Sequence, residues 1–546
     1  MSRLAARQPG LVAALAAAGA IAAGCVMATR AHGGEPNALG ERLYRQGILA
    51  SGEPVRARLI GDVPAQGAQL VCAGCHGRSG LGSGEGRIFM PPVTGTILYR
   101  PREIRRKQLY DARTLRPAYT DATLARAIRD GVDPAGRPLD PMMPRYALSD
   151  ADLASLIAYL KTLSSAPSPG VTESHIRFAT VIAGEVAGRA RKSVLDVLEA
   201  FVESKNADTR RETTLARRSP FHKAAHYEAY RKWALDVWEL EGPPDAWPAQ
   251  LEAHYAREPV FAVIGGVGAG SWAPVHAFCE RNEVPCLLPN TDLPVLAERD
   301  FYTLYFTRGM ALEAEVLARH LDDRRPAAPI VQVYRAEPRG AAAAAALRSA
   351  LASRGARALR DEVIEPGEPA GPALGRALAN GTGPALVLWL DDRDLPPLDR
   401  LAGAERVYLS STLAGGLPRE IPRDLDGRVY AVHPYHLPEE AASRLRAMAS
   451  WLRGRRVAVG DERLQANTLF TANLVAQALK HVRSNFHRDY FVQRIEHIFD
   501  GMVTPAAYPK ASLGPNQRYA SKGAYLVRAV RNANGEVDAE SEWVVP

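Results

Sequence analysis

Apolar and polar positions change rhythm several times along the chain. The stretch LVAALAAAGAIAA (11–23) is apolar throughout, follows the basic Arg3 and Arg7, and is too short to span a bilayer comfortably. It predicts an export signal over 1–31, with a cleavage region in ATRA near Ala31. The alternative is AAGC, which makes Cys25 the acceptor of a lipid anchor. From 35 to 163 apolar positions recur at helical spacing between long loops. LARAIRDGV (124–132) reads as a short amphipathic helix. SDADLASLIAYLKTL (149–163) starts at Ser149 with Asp152 three residues on, a start resembling a capping box. Leu153, Ile157, Leu160 and Leu163 then share a face, widened by Leu156 and Tyr159. SSAPSPG (164–170) has no apolar period and reads as a linker.

Beyond the linker the rhythm alternates. Strands are expected at 176–184, 232–240, 260–266, 329–336, 385–392 and 406–412. Helices are expected at 190–205, through APVHAFCERN (273–282) and at 341–353. Such alternation predicts an α/β module of parallel sheets covered on both faces, with ligands at the carboxyl ends of strands. The polar break DDRRPAA (322–328) suggests two lobes within 171–546.

At 546 residues the chain is too long for one core, so several domains are expected. The formal charge of +8 comes from arginines spread along the whole length. This reads as a soluble surface; the sharper reading is a basic face for an acidic redox partner. No nucleic-acid-binding motif is present.

Two of the five cysteines, Cys72 and Cys75, stand in CAGCH with His76 directly after them. C-x-x-C-H is the signature of c-type haem attachment: each thiol adds to a vinyl group, and the histidine is the proximal iron ligand. Zinc would need two further ligands at suitable spacing, and no second CxxC or HxxxH lies nearby. Covalent haem implies export, in keeping with the N-terminus. One haem c per chain is expected. Met90, Met142 and Met143 are the candidates for the sixth iron ligand.

Residues 35–163 resemble a class I cytochrome c, with the haem motif first, a Met-Pro later and a terminal helix after it. The resemblance implies an all-α domain. It implies that the Pro91 carbonyl, in PPVTG (91–95), accepts a hydrogen bond from His76. The family's form, Met-Pro with an aromatic two residues on, matches Met143 with Tyr146; Met90 directly precedes the proline loop. Two strong axial ligands leave no open position, which favours one-electron transfer over substrate chemistry.

The second module resembles the type I periplasmic solute-binding proteins of branched-chain amino-acid transporters. The likeness rests on strand–helix order and on FAVIGGVGAGSWAPVHAFCERNEVPCLLPNTDLPVL (261–296). It implies a ligand cleft with Ser271 and Trp272 at the mouth of a Gly-rich loop and Asn290 and Thr291 on the next loop. Arg339 and Ser411 are the candidates from the second lobe. No acid stands around Ser411 and Thr412, where the family holds an ammonium group, which argues against an amino-acid ligand; Asp391 and Asp392 are the nearest substitutes. Cys279 and Cys286 are expected to form a disulfide in an oxidising compartment. HPYH (433–436) invites a metal reading but has no third ligand beside it. No Ser-His-Asp order, P-loop or GxGxxG announces an enzyme.

The expectation is an exported monohaem cytochrome that carries single electrons in the periplasm. Its second module would sense a small organic solute or dock a donor such as a quinoprotein-type dehydrogenase. The alternative is a transporter-type binding or sensor protein in which the haem is accessory. A membrane enters only through a lipid on Cys25.

Overall fold

Ser149 caps the last helix of the first region as its spacing predicts: its hydroxyl accepts from the Asp152 N–H at 3.1 Å and donates to the Asp152 carboxylate at 2.5 Å. The structure is a computed structural model and describes residues 35–85, 88–104, 114–218, 231–297, 300–324, 328–355, 358–379, 383–502, 506–532 and 536–546. The expected signal segment and Cys25 lie outside the described residues. Among the described residues no helix is long and apolar enough to cross a membrane.

The first region runs α1 (Glu35–Gln46), β1 (Arg56–Arg58), β2 (Pro64–Gln66), α2 (Cys72–His76), β3 (Ser83–Glu85), β4 (Ile88–Met90), α3 (Gly95–Leu98), β5 (Arg102–Ile104), β6 (Thr114–Arg116), α4 (Asp121–Asp130), β7 (Arg145–Tyr146) and α5 (Asp150–Thr162). It is not all-helical, which corrects the expectation. β2–β1–β7, β3–β4 and β5–β6 form small antiparallel sheets. The long loops between helices carry backbone donors and acceptors that need partners, and short ladders supply them.

Two compact units emerge. One comprises the chain up to Cys72 and Leu98–Thr162; the other comprises Ala73–Ile97 and Leu163–Pro546. In the first, α1 lies against α5 with Tyr44 and Tyr159 rings 5.5 Å apart, and α5 buries Leu153, Leu156, Ile157, Tyr159 and Leu160.

The second unit holds two large sheets. The first contains β8 (His175–Ala183), β9 (Lys232–Leu240), β10 (Ala262–Ile264), β11 (Val267–Gly268), β12 (Cys286–Leu287) and β13 (Thr303–Leu304). All its pairings are parallel, in the order β11–β8–β10–β12–β13 with β9 beside β8. Its helices are α6 (Gly188–Arg218), α7 (Trp247–Arg257) and α8 (Ala273–Arg281). α9 (Met310–Arg324) leads into the second sheet: β14 (Ile330–Arg335), α10 (Pro338–Ser353), β15 (Leu359–Ile364), α11 (Ala370–Leu378), β16 (Ala385–Trp389), β17 (Arg406–Ser410) and β18 (Val429–His433). The chain then returns to the first core with α12 (Pro438–Gly454), α13 (Glu462–Val482) and α14 (Arg488–Ile498). It ends in β19 (Ala524–Arg531) and β20 (Val537–Val544), which complete the second sheet as β15–β14–β16–β17–β18–β19–β20.

The last two strands are antiparallel, so the second sheet is mixed rather than purely parallel. The lobe change also falls earlier than the 322–328 break suggests. α9 buries Leu312, Val316, Leu317 and Leu321 in the core of the second sheet, so the chain crosses at 305–309, before that helix. It crosses again at 434–437 and 521–523. Strand order reverses between β8 and β10 and between β14 and β16, and a crevice opens at the carboxyl ends of such neighbours.

Candidate functional site

Cys72 and Cys75 lie three apart on α2, so both thiols fall on one side of a single turn. Neither is in a disulfide; Cys72 is half-buried, Cys75 is exposed and His76 beside them is buried. The His76 Nδ1 stands 2.8 Å from the Pro91 carbonyl oxygen. A carbonyl only accepts, so Nδ1 carries the proton and the Nε2 lone pair is left for a metal. Burial lowers the His76 pKa, the Pro91 contact opposing it, and the ring is held neutral as a ligand must be. Two cysteine thiols on one helical turn and a neutral, oriented imidazole fit a covalently bound haem.

Met143 is half-buried in the loop before β7, its N–H bonded to the Asp140 carbonyl at 3.0 Å. Met142 beside it is 59 % exposed, and Met90 ends β4. Tyr146 is buried, and its hydroxyl donates to the Leu70 carbonyl at 2.9 Å.

The structure rearranges the expected cleft. Trp272 is not at the mouth of the Gly loop but fully buried beneath it. Gly266 has φ +96°, and a β carbon there would meet the Val181 carbonyl at 2.7 Å and the Trp272 ring at 3.2 Å. The glycines let the loop wrap an indole. Ser271 is exposed, its hydroxyl accepting from the Ala273 N–H at 3.2 Å. Asn290 donates to the Gly266 carbonyl and accepts from Asn467, both at 3.1 Å, so it ties loops together. The Thr291 hydroxyl accepts from the Leu293 N–H at 3.1 Å. Ser411 is buried, 2.8 Å from His433 Nδ1. His433 Nε2 faces the His436 carbonyl at 3.1 Å and His436 pairs with Glu440 at 3.0 Å, so HPYH is spent on the chain's own groups. Among the described residues no cluster of three or more His, Cys, Asp or Glu could hold a metal ion.

Arg339 lies between loops of the two sheets. From the first turn of α10 it stands 3.1 Å from Asp391, after β16, and 3.3 Å from Asp292, after β12. Loops of the two sheets are thereby joined by an ion pair. Sequence reasoning stopped one residue short at Asp292, having chosen Asn290 and Thr291 in the same loop. It missed three further residues. Arg463, on α13, lies 3.9 Å from Asp292, donates to the Tyr435 hydroxyl and sits 5.1 Å from that ring's centre. Tyr435 and Asp292 favour its charged form. The Tyr435 hydroxyl is 2.9 Å from Thr412 Oγ1, and burial pushes its pKa up to about 12. Glu313, on α9, is 1 % exposed, and neither carboxylate oxygen has a well-formed hydrogen bond among the described residues. Burial pushes its pKa up to about 7; the nearby Ser410 and Thr412 hydroxyls offset this only in part, and Asp292 adds to it. The only advance signal was a charged residue on the inward face of an apolar helix. This cluster between the loops of the two sheets is polar, with arginines answered by the chain's own carboxylates.

Cys279 and Cys286 are both fully buried and free, which corrects the expected disulfide. Burial, and then the neighbouring Cys286, push the Cys279 thiol well up. Disulfide exchange needs an accessible thiolate, and both side chains are fully buried here. Both thiols are expected to resist a thiol reagent in the native protein and to react on denaturation without any reductant. Labelling that requires prior reduction would restore the bridge.

The chain thus combines a module of two large sheets with a helical segment carrying two cysteines and an oriented histidine. Residues 65–164 match the family model for Cytochrome c, and the chain carries a cytochrome c domain there. Among solved structures it is similar to a fatty acid ABC transporter substrate-binding protein from Thermomonospora curvata, at 15 % identity, 70 % of this chain, 95 % of that one and TM-score 0.47. A leucine binding protein from Thermotoga maritima MSB8 matches at 12 % identity over 68 % and 99 % of the two chains, TM-score 0.45. A branched chain amino acid ABC transporter protein from Thermus thermophilus with bound valine matches at 13 % over 68 % and 97 %, TM-score 0.46. No curated protein sequence matches the chain.

Proposed function

We propose that this protein is an exported c-type cytochrome that passes single electrons in the periplasm and whose two-lobed module binds a small organic solute or docks a dehydrogenase. The observation that carries the reading is Cys72, Cys75 and His76 on one helical turn with Nδ1 held by Pro91. A haem bound there supplies reversible one-electron chemistry. Cys72 and Cys75 would hold it covalently, and His76 and Met143 would ligate its iron. The Pro91 carbonyl keeps His76 in one tautomer and raises its basicity. Tyr146, through its bond to Leu70, fixes the strand that follows Met143. In the cleft, Arg339 and Arg463 are cations whose carboxylate partners a solute's own carboxylate can replace.

Met143→Ala tests the electron-transfer reading. Wild-type reduced protein is expected to resist carbon monoxide, and the variant to bind it readily, with a lower reduction potential and loss of the near-infrared sulfur-to-iron band. Met142→Ala should keep the band. Immediate carbon monoxide binding by the wild type would mean an open iron and overturn the reading. Mass spectrometry of small molecules released from the purified protein tests the cleft.

A further inference from the structure

The chain just after His76 is gripped. Gly77, Arg78 and Ser79 belong to the same compact unit as residues 163–546, and each meets side chains there. The Arg78 guanidinium lies 4.7 Å from the centre of the Phe301 ring and 5.3 Å from that of Tyr302. Its nitrogens stand 3.5 Å from Asp489 and 3.8 Å from Glu283. The Ser79 hydroxyl donates to Gln493 Oε1 at 2.9 Å, and the Ser164 hydroxyl donates to the Ser79 carbonyl at 2.8 Å. Gly77 has φ +76°, and a β carbon there would come within 2.7 Å of Gln493 Nε2.

The gripping groups are themselves stiff. Asp489 and Gln493 are one turn apart on α14, and Asp489 accepts from the Tyr302 hydroxyl at 2.5 Å. Phe301 and Tyr302 lead into β13, where the Glu280 carboxylate accepts from the N–H groups of Phe301, Tyr302 and Thr303 at 2.9, 3.0 and 2.8 Å. An arginine between aromatic faces and carboxylates, and a glutamine bonded to the next residue, hold the backbone two and three positions past the iron ligand.

We propose that Arg78 and Gln493 are positioning residues for the haem iron, acting through His76, so that the α/β module sets the reduction potential and the orientation of the proximal ring. The inference rests on haem attachment at Cys72 and Cys75. It needs no solute in the cleft. A fixed cation two residues from the iron ligand favours the ferrous state, and a fixed backbone favours one ring orientation.

The test uses the full-length exported holoprotein and four variants: Arg78→Gln, Arg78→Lys, Gln493→Ala and Asp489→Asn. Covalent haem per chain, midpoint potential and the ferric electron paramagnetic resonance spectrum are measured for each. Arg78→Gln is expected to keep its haem but lower the potential and broaden the low-spin signal. Arg78→Lys should restore the potential but not the signal, because an ammonium keeps the charge and loses the planar stack. Gln493→Ala should change the signal without removing a charge, and Asp489→Asn should raise the potential. If Arg78→Gln does not accumulate, Gln493→Ala and Asp489→Asn decide. Wild-type potential and spectrum in Arg78→Gln, Gln493→Ala and Asp489→Asn alike, with haem intact, would overturn the proposal. A wild type without covalent haem overturns the attachment reading and this inference with it.

Discussion

Cys72→Ala combined with Cys75→Ala is expected to abolish covalent haem completely. The two thiols are the groups at the site that form covalent thioether bonds, and His76 and Met143 would offer only coordinate bonds, which a denaturant breaks. The single variants should differ from the double one. Each keeps one thiol on the same turn of α2, so each should retain haem in lower yield with a red-shifted reduced spectrum. Haem staining of a denaturing gel and the pyridine haemochrome spectrum read both effects. Loss of all bound haem in the double variant, against one haem per chain in the wild type, is the expected result. Haem that stays attached without either cysteine would remove the basis of the functional reading.

Glu313→Gln is expected to stabilise the larger unit above neutrality. The Glu313 carboxyl titrates at about 7 in the folded protein against an ordinary 4.5, chiefly because it is buried. Its folded-state pKa is raised, so the native state holds the proton more tightly than the unfolded state. Between pH 4.5 and about 7 the unfolded chain therefore loses the proton first, and stability falls as pH rises. The full cost, about 3 kcal/mol at about 1.4 kcal/mol per unit of pKa, is present above pH 7. Glutamine has no proton to lose. The variant should match the wild type near pH 4.5 and exceed its stability by up to about 3 kcal/mol at pH 8. All seven tryptophans lie beyond residue 232, so tryptophan emission during urea unfolding follows this unit. Parallel stability–pH curves for the two proteins would show that Glu313 does not titrate in this range.

What could be read from the chain was what is local. The period of Leu153, Ile157 and Leu160 gave α5, and the alternation in KWALDVWEL gave β9 over the same residues, Lys232–Leu240. CAGCH named its own chemistry because the three groups are contiguous. The strands of the first region escaped because β1, β5 and β6 are three residues long and pair with segments elsewhere in the chain. β20 escaped because it is largely exposed and reads as polar, VDAESEWV. α6 runs to Arg218, well past the expected 205, through a polar sequence with no apolar stripe to mark it. The cleft was least legible. Arg463, Tyr435 and Glu313 come together only because the chain crosses between the sheets three times. Trp272 misled because a tryptophan beside a Gly loop looks the same in sequence whether it caps the loop or lies under it.

The grip on the haem segment also has an order in time. Ser79 and Gln493 are 414 positions apart, and synthesis runs from the N-terminus. The CAGCH segment is therefore made long before α14, and Arg78 and Ser79 gain their partners on that helix only afterwards. Closure of Arg78 onto Phe301 and Asp489 comes only when nearly the whole chain has been made. A chain cut short before α14 lacks Asp489 and Gln493, and with them the contacts that hold Arg78 and Ser79.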